Sequence, residues 1–222
     1  MAWHHPEAAH EADALRVWDG DGAVRLRAAD EFADTMVLLV ERCTLGTSLA
    51  RRPELEQDVV IAGLLCRLWR APEPGHRFAS LQSMCDARAG EFEERWTPDR
   101  SDLDPGLVRY GLALFRALPR TADRAVVLCT DLHADNVLAA QREPWLVIDP
   151  KPHVGDPTYD VVQHLLNGED RLRIDPHGAV RRMADLAGLD RQRLQRWLFA
   201  RCVQESPRLA HPCEVARLIA PT

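Results

Sequence analysis

Three short apolar runs, residues 125–129 (AVVLC), 136–140 (NVLAA) and 145–149 (WLVID), follow one another with only polar, turn-rich residues between them. Each is too short to stand as a helix in water, and valine and leucine suit them to burial as strands. The first reads as a buried strand, and the second and third as a hairpin around "QREP". Any fold for this chain has to place that block, and with it the polar residues at its corners.

Most of what flanks the block reads as helix. Residues 6–18 carry proline in the first turn and alanine and leucine through it, and "DGDG" at 19–22 stops them. Two short strands follow at 23–28 and 35–42, with a polar link between them. Residues 54–70 predict a helix with Leu55, Val59, Leu65 and Leu68 as its apolar stripe. An amphipathic helix at 81–96 carries Glu91, Glu93 and Glu94. "DPGLVRYGLALFRAL" is a helix capped by Asp104, with Pro105 at its first position. From Tyr159 onward the pattern is helical, with breaks at Pro176, Gly188 and Pro207. The expected class is α+β, mostly helical. At 222 residues the chain can bury a substantial core in one or two domains.

Charge and cysteine usage narrow the functions. A formal net charge of -6 without a basic stripe disfavours nucleic acid and is compatible with a cationic ligand. No uncharged apolar stretch is long enough to cross a bilayer, and no basic start precedes an apolar run, so neither a membrane partner nor export is expected. The six cysteines form no C-x-x-C pair and read as mostly buried thiols in a reducing compartment, the cytoplasm. Of 28 basic residues all but Lys151 are arginine.

The corners of the strand block hold Asp131, Asn136 and Asp149. One chemistry that uses this order is phosphoryl transfer: an aspartate accepts the proton of an attacking hydroxyl, while an asparagine and a second aspartate hold magnesium against nucleotide phosphates. Magnesium needs hard oxygen ligands, and an amide supplies one without a further negative charge. A second is metal-assisted hydrolysis through Asp131, His133, Asp135 and Asp149, although a second histidine-rich segment is lacking. A third is structural, since Asx side chains cap turns. The set of three in this order ranks phosphoryl transfer first.

The motifs "DALRVWDGDGAVRL", "LLVERCTLGTSL", "DLHADNVL", "WLVIDPK" and "GDPTYDVV" together resemble the aminoglycoside phosphotransferase family, in its streptomycin 6-phosphotransferase and hydroxyurea phosphotransferase branch. The resemblance implies a protein-kinase-like fold, with residues 1–42 as the remnant of a small nucleotide-binding lobe and 43–222 as the large catalytic and substrate-binding lobe. It implies ATP and Mg²⁺ as cofactors and a small cationic or hydroxylated molecule as the acceptor. Asp131 would be the catalytic base, and Asn136 and Asp149 the magnesium ligands. Glu11 falls on the helix that presents a glutamate to the phosphate-binding lysine, with a solvated helical charge as the competing reading. Glu41 and Arg42 fall at the link between lobes, where backbone groups meet adenine, and the Glu41 side chain itself is expected to do nothing specific. Asp160 resembles the buried aspartate that braces the catalytic loop. His133 is expected to pack the loop, His4, His5 and His10 to be surface histidines, and Lys151 to be either a phosphate contact or a surface lysine.

Two departures from the pattern stand out. Family members carry a glycine-rich loop and a strand lysine, and neither precedes Glu11 here. A chain of this extent is expected to expose a sheet edge and apolar surface and to be weakened as an enzyme; a catalytically weak or inactive remnant or a binding module is the alternative reading. The family's His-Gly before the base is replaced by Cys129 and Thr130, which puts a threonine where glycine relieves backbone crowding.

Overall fold

The computed structural model describes residues 2–3, 10–32, 35–97, 103–206 and 211–221. His4, His5 and Pro207, with the first part of the helix expected from residue 6, lie outside them. The chain forms two compact units: residues 1–79 with 125–154, and residues 80–124 with 155–222. The strand block and the three residues at its corners therefore belong to the first unit.

In the first unit, α1 (Glu11–Trp18) buries Ala14, Leu15 and Trp18, and the Trp18 indole N–H donates to Leu68 O at 2.9 Å. Asp19 ends the helix in the left-handed region at φ 44. Gly20 follows at φ 82, where a Cβ would lie 2.5 Å from Arg25 Cγ, so "DGDG" is a stop that needs its glycines. β2 (Leu26–Phe32) and β3 (Thr35–Val40) pair antiparallel, and β1 (Ala2–Trp3) pairs with the far side of β3. Phe32 and Leu39 on these strands are each 62% exposed.

α2 (Glu54–Leu68) corrects the stripe read from sequence. Leu55 and Val59 are 56% and 52% exposed, and the face turned inward is Asp58, Ile61, Ala62, Leu65 and Leu68. The 3.6-residue period was satisfied by two faces, and tertiary packing took the one that includes an acid. β4 (Val126–Leu128) is buried throughout, while β5 (Val137–Ala139) and β6 (Trp145–Val147) form the expected antiparallel hairpin, Val137 opposite Val147. Residues 22–24 extend that hairpin: Val24 N–H donates to Val147 O and Val147 N–H to Gly22 O. β7 (His153–Gly155) closes the strand segment by pairing with β4.

The second unit is helical: α3 (Leu81–Arg95), α4 (Pro105–Ala117), α5 (Pro157–Asn167), α6 (Glu169–Ile174), α7 (Pro176–Ala187), α8 (Arg191–Glu205) and α9 (His211–Ile219). Side chains cap most of these as their residue types dictate. Asp104 accepts from Gly106 and Leu107 N–H, and Asp190 from Arg193 N–H. α8 is the central element, burying Leu194, Trp197, Leu198, Phe199 and Val203, each worth about 1.5–3 kcal/mol of apolar transfer. α4 crosses it closely at Gly111, where a Cβ would lie 2.5 Å from Val203 Cγ2. The buried Asp156 carboxylate accepts from Trp197 Nε1 at 2.6 Å and Arg193 Nε at 2.7 Å. Asp160 is fully buried in the first turn of α5.

Candidate functional site

β4 delivers the chain, buried, to a sharp bend. Asp131 N–H donates back to Cys129 O at 2.8 Å, so the turn closes around Thr130, whose φ is +52. A β-branched residue in this region costs on the order of 1–2 kcal/mol. The Thr130 hydroxyl offsets part of that by donating to Lys151 O, and Lys151 N–H donates to Cys129 O at 3.0 Å. The loop before Asp131 is thus fastened to the segment just beyond Asp149, and the glycine-to-threonine departure is tolerated through a bond that glycine cannot make.

Asn136 ends a single 3-10 turn (Ala134–Asn136) and starts the hairpin. Its amide Nδ2 donates to Asp131 O at 3.0 Å, and its carbonyl accepts from Ile148 N–H at 2.9 Å. One side chain and one main-chain bond therefore tie all three corner residues together: Asn136 to the backbone of Asp131, and Asn136 to the strand end that presents Asp149. With Nδ2 spent on Asp131, Oδ1 is the atom that the amide has left for a ligand. Asp149 is itself in the left-handed region, φ 51, and half-exposed, which turns its carboxylate out of the strand line.

This donor set fits magnesium. The ion is usually held by one or two carboxylates and by substrate oxygens, not by an all-protein cage, and an Asp with an Asn amide supplies the hard oxygens. Among the described residues no three His, Cys, Asp or Glu side chains converge as a metal cage. That disfavours the hydrolytic cluster of Asp131, His133, Asp135 and Asp149. His133 Nδ1 is buried without a hydrogen-bond partner, 3.8 Å from Asp135 Oδ2, while Asp135 is 71% exposed. His10 sits against Asp13 and edge-on to Phe78, so packing accounts for it as well.

Glu11, at the start of α1, comes to the same place. Burial raises its carboxyl above the usual carboxylate range, the Asp149 charge raises it further, and the Lys151 charge opposes both. The Lys151 ammonium rests on Asp149 Oδ1. Glu11, Asp149 and Lys151 are thus one electrostatic group.

Glu41 is placed differently, and its side chain is far from idle. Its carboxylate accepts from Arg142 Nε at 3.0 Å and Nη2 at 2.9 Å and from Arg25 N–H at 3.1 Å, while its own N–H donates to Arg25 O at 2.7 Å. The Arg142 guanidinium holds Glu41 below the usual carboxylate range. Arg142 also donates to Gly20 O at 2.6 Å and Ala23 O at 3.0 Å, and Arg67 joins Asp21 to Glu143 beside it. Sequence reasoning missed Arg142, because nothing in "QREP" distinguishes a clamp from a solvated turn. Arg42 is exposed.

Residues 3–211 match the family model described as aminoglycoside/hydroxyurea antibiotic resistance kinase. A streptomycin 6-kinase of Streptomyces griseus is 38% identical over 203 residues, covering 86% of this chain and 64% of that protein. A hydroxyurea phosphotransferase of Kitasatospora aureofaciens is 38% identical over 212 residues, covering 89% and 57%. The chain therefore spans less than two thirds of the length of these relatives. Among solved structures, a choline kinase from Streptococcus pneumoniae superposes with a TM-score of 0.64 at 12% identity, covering 96% of this chain and 78% of that one. A macrolide 2'-phosphotransferase type I gives 0.54 at 12% identity, covering 97% and 80%. At that identity the likeness shows the fold, which is protein-kinase-like.

Proposed function

Because the chain belongs to the aminoglycoside/hydroxyurea antibiotic resistance kinase family, we propose that it transfers the γ-phosphate of ATP to a hydroxyl of streptomycin or a similar small antibiotic or secondary metabolite. The observation that carries this reading is the Asn136 amide on the Asp131 backbone, in the loop that is hydrogen-bonded to the strand end carrying Asp149. Asp131 aligns the acceptor hydroxyl and takes its proton. Asn136 Oδ1 and the Asp149 carboxylate hold magnesium, which supplies positive charge against the phosphates. Glu11 is a nucleotide-binding residue, on the helix whose glutamate meets a phosphate-binding lysine in the family, and the backbone at Glu41 and Arg42 meets the adenine. Residues 1–42 act as small-lobe sequence and 43–222 as the catalytic and substrate-binding lobe. The enzyme works in the cytoplasm; all six cysteines are free thiols, and no helix among the described residues is long and apolar enough to cross a membrane.

Incubating the chain with magnesium, ATP and a panel of hydroxylated antibiotics including streptomycin, with phosphorus NMR of the products, tests the proposal. A new phosphomonoester with at least one acceptor is expected. ATP left intact with every acceptor would overturn it in favour of a binding module.

A further inference from the structure

The roles above leave out Lys151, the chain's single lysine. Its backbone is held on both sides: N–H donates to Cys129 O at 3.0 Å, and C=O accepts from the Thr130 hydroxyl and from His153 Nδ1 at 3.1 Å. The Lys151 Cα is therefore as firmly placed as the loop that carries Asp131. Its ammonium rests on Asp149 Oδ1, and the Glu11 carboxyl lies within electrostatic reach of both. Lys151 thus serves two acids, one of them the carboxylate that the proposed reading gives to magnesium.

Lysine suits a change of partner. An ammonium is a compact charge with three donors on a flexible stem, and it can leave one oxygen for another without moving its backbone. An arginine fork committed to two oxygens, such as Arg142 on Glu41, lacks that freedom. A divalent cation on Asp149 repels an ammonium already in contact with the same carboxylate, so the two compete for it. The ammonium then needs another anion nearby, and nucleotide phosphates held by that metal are the anions brought to this place.

We propose that Lys151 is a phosphate-binding residue that guards Asp149 when metal and nucleotide are absent, releases it to the metal, and then pairs with a phosphate oxygen of the nucleotide. The inference rests on the reading of Asp149 as a metal ligand. It has two consequences of opposite sign. Metal alone competes with the built-in ammonium and binds weakly, whereas metal with nucleotide brings the ammonium its next partner and binds well.

Titration calorimetry on the full chain and on Lys151→Met, Lys151→Arg and Asp149→Asn, first with Mn²⁺ alone and then with magnesium and a non-hydrolysable ATP analogue, separates the outcomes. Lys151→Met keeps every backbone bond of the segment and should leave the fold intact. It is expected to bind Mn²⁺ about threefold more tightly, the scale of a half-exposed ion pair removed, and the analogue roughly tenfold more weakly, the scale of a lost hydrogen bond to a charged group. Lys151→Arg keeps the charge but holds Asp149 with a fork that does not readily change partner, so it should bind Mn²⁺ no more tightly than the parent and the analogue more weakly. Unchanged analogue affinity in Lys151→Met, or weaker Mn²⁺ binding, overturns the inference. If Asp149→Asn also leaves Mn²⁺ binding unaltered, the reading of Asp149 as a metal ligand falls with it; if only Asp149→Asn abolishes binding, that reading stands and Lys151 is a surface lysine.

Discussion

Glu41 and Glu11 are glutamates of one compact unit, both partly withdrawn from water, and their surroundings push them in opposite directions. Glu41 has a guanidinium fork committed to it and is held in its charged form. Glu11 shares the flexible Lys151 ammonium with Asp149, and burial and the Asp149 charge work against its charged form. The difference separates two uses of an acid. A carboxylate met by a rigid fork is spent on holding strands and turns together, whereas acids gathered around too little positive charge hold attraction in reserve for a cationic ligand. The end of β3 is therefore braced, while the corner of Asp149 gathers acids around the flexible Lys151 ammonium.

The largest effect on stability should come from breaking the braced side. Arg142→Ala removes the partners of Glu41, Gly20 O and Ala23 O at once, and with Glu41 and Arg142 side chains 13% and 23% exposed, part of the loss is made good by water. A loss of about 2–3 kcal/mol in urea unfolding is expected. Arg142→Lys should recover little of it, because an ammonium cannot fork. A loss well under 1 kcal/mol for Arg142→Ala would show that the clamp is ornamental.

The turn around Thr130 comes next. Thr130→Val keeps the branched shape and the unfavourable φ but loses the hydroxyl bond to Lys151 O, so unfolding should cost about 1–2 kcal/mol less than in the parent. Thr130→Gly loses the same bond while relieving the backbone and should be nearly neutral. Equal losses in both variants would mean that φ at this position carries no strain.

The smallest effects separate the two glutamates directly. A depressed native carboxyl contributes stability above its unfolded value, about 4.5, and loses it as pH falls through the lower native value. Glu41→Gln should therefore lower stability at neutral pH and flatten the loss of stability below about pH 4.5. Glu11 is raised, so its charged form weakens the fold at neutral pH, and Glu11→Gln should leave the melting temperature unchanged or slightly higher. Parallel losses in both variants would erase the distinction.

Much of this was legible in the residues. Asp104 and Pro105 announced α4, "DGDG" marked the end of α1, and the two apolar runs around "QREP" announced the hairpin of β5 and β6. What could not be read depended on distant partners. Leu55 and Val59 fit a helical stripe as well as Ile61, Leu65 and Leu68 do, and only the packing of α2 decides between those faces. Arg142 meets Glu41 from across 101 positions of sequence. The sequence flagged Thr130 as out of place, yet its bond to Lys151 O appears only once the segments flanking the hairpin are brought together.

The central claim is that Asp131 is the proton acceptor of a phosphoryl transfer, and a pair of neighbouring acids tests it most directly. Asp131→Asn and Asp135→Asn change the same group within one loop, Asp135 being 71% exposed. Rates of phosphoester formation with ATP and the best acceptor should fall about 10²–10⁴-fold for Asp131→Asn and remain near the parent value for Asp135→Asn. Undiminished transfer by Asp131→Asn, or an equal fall in both variants, would contradict the account.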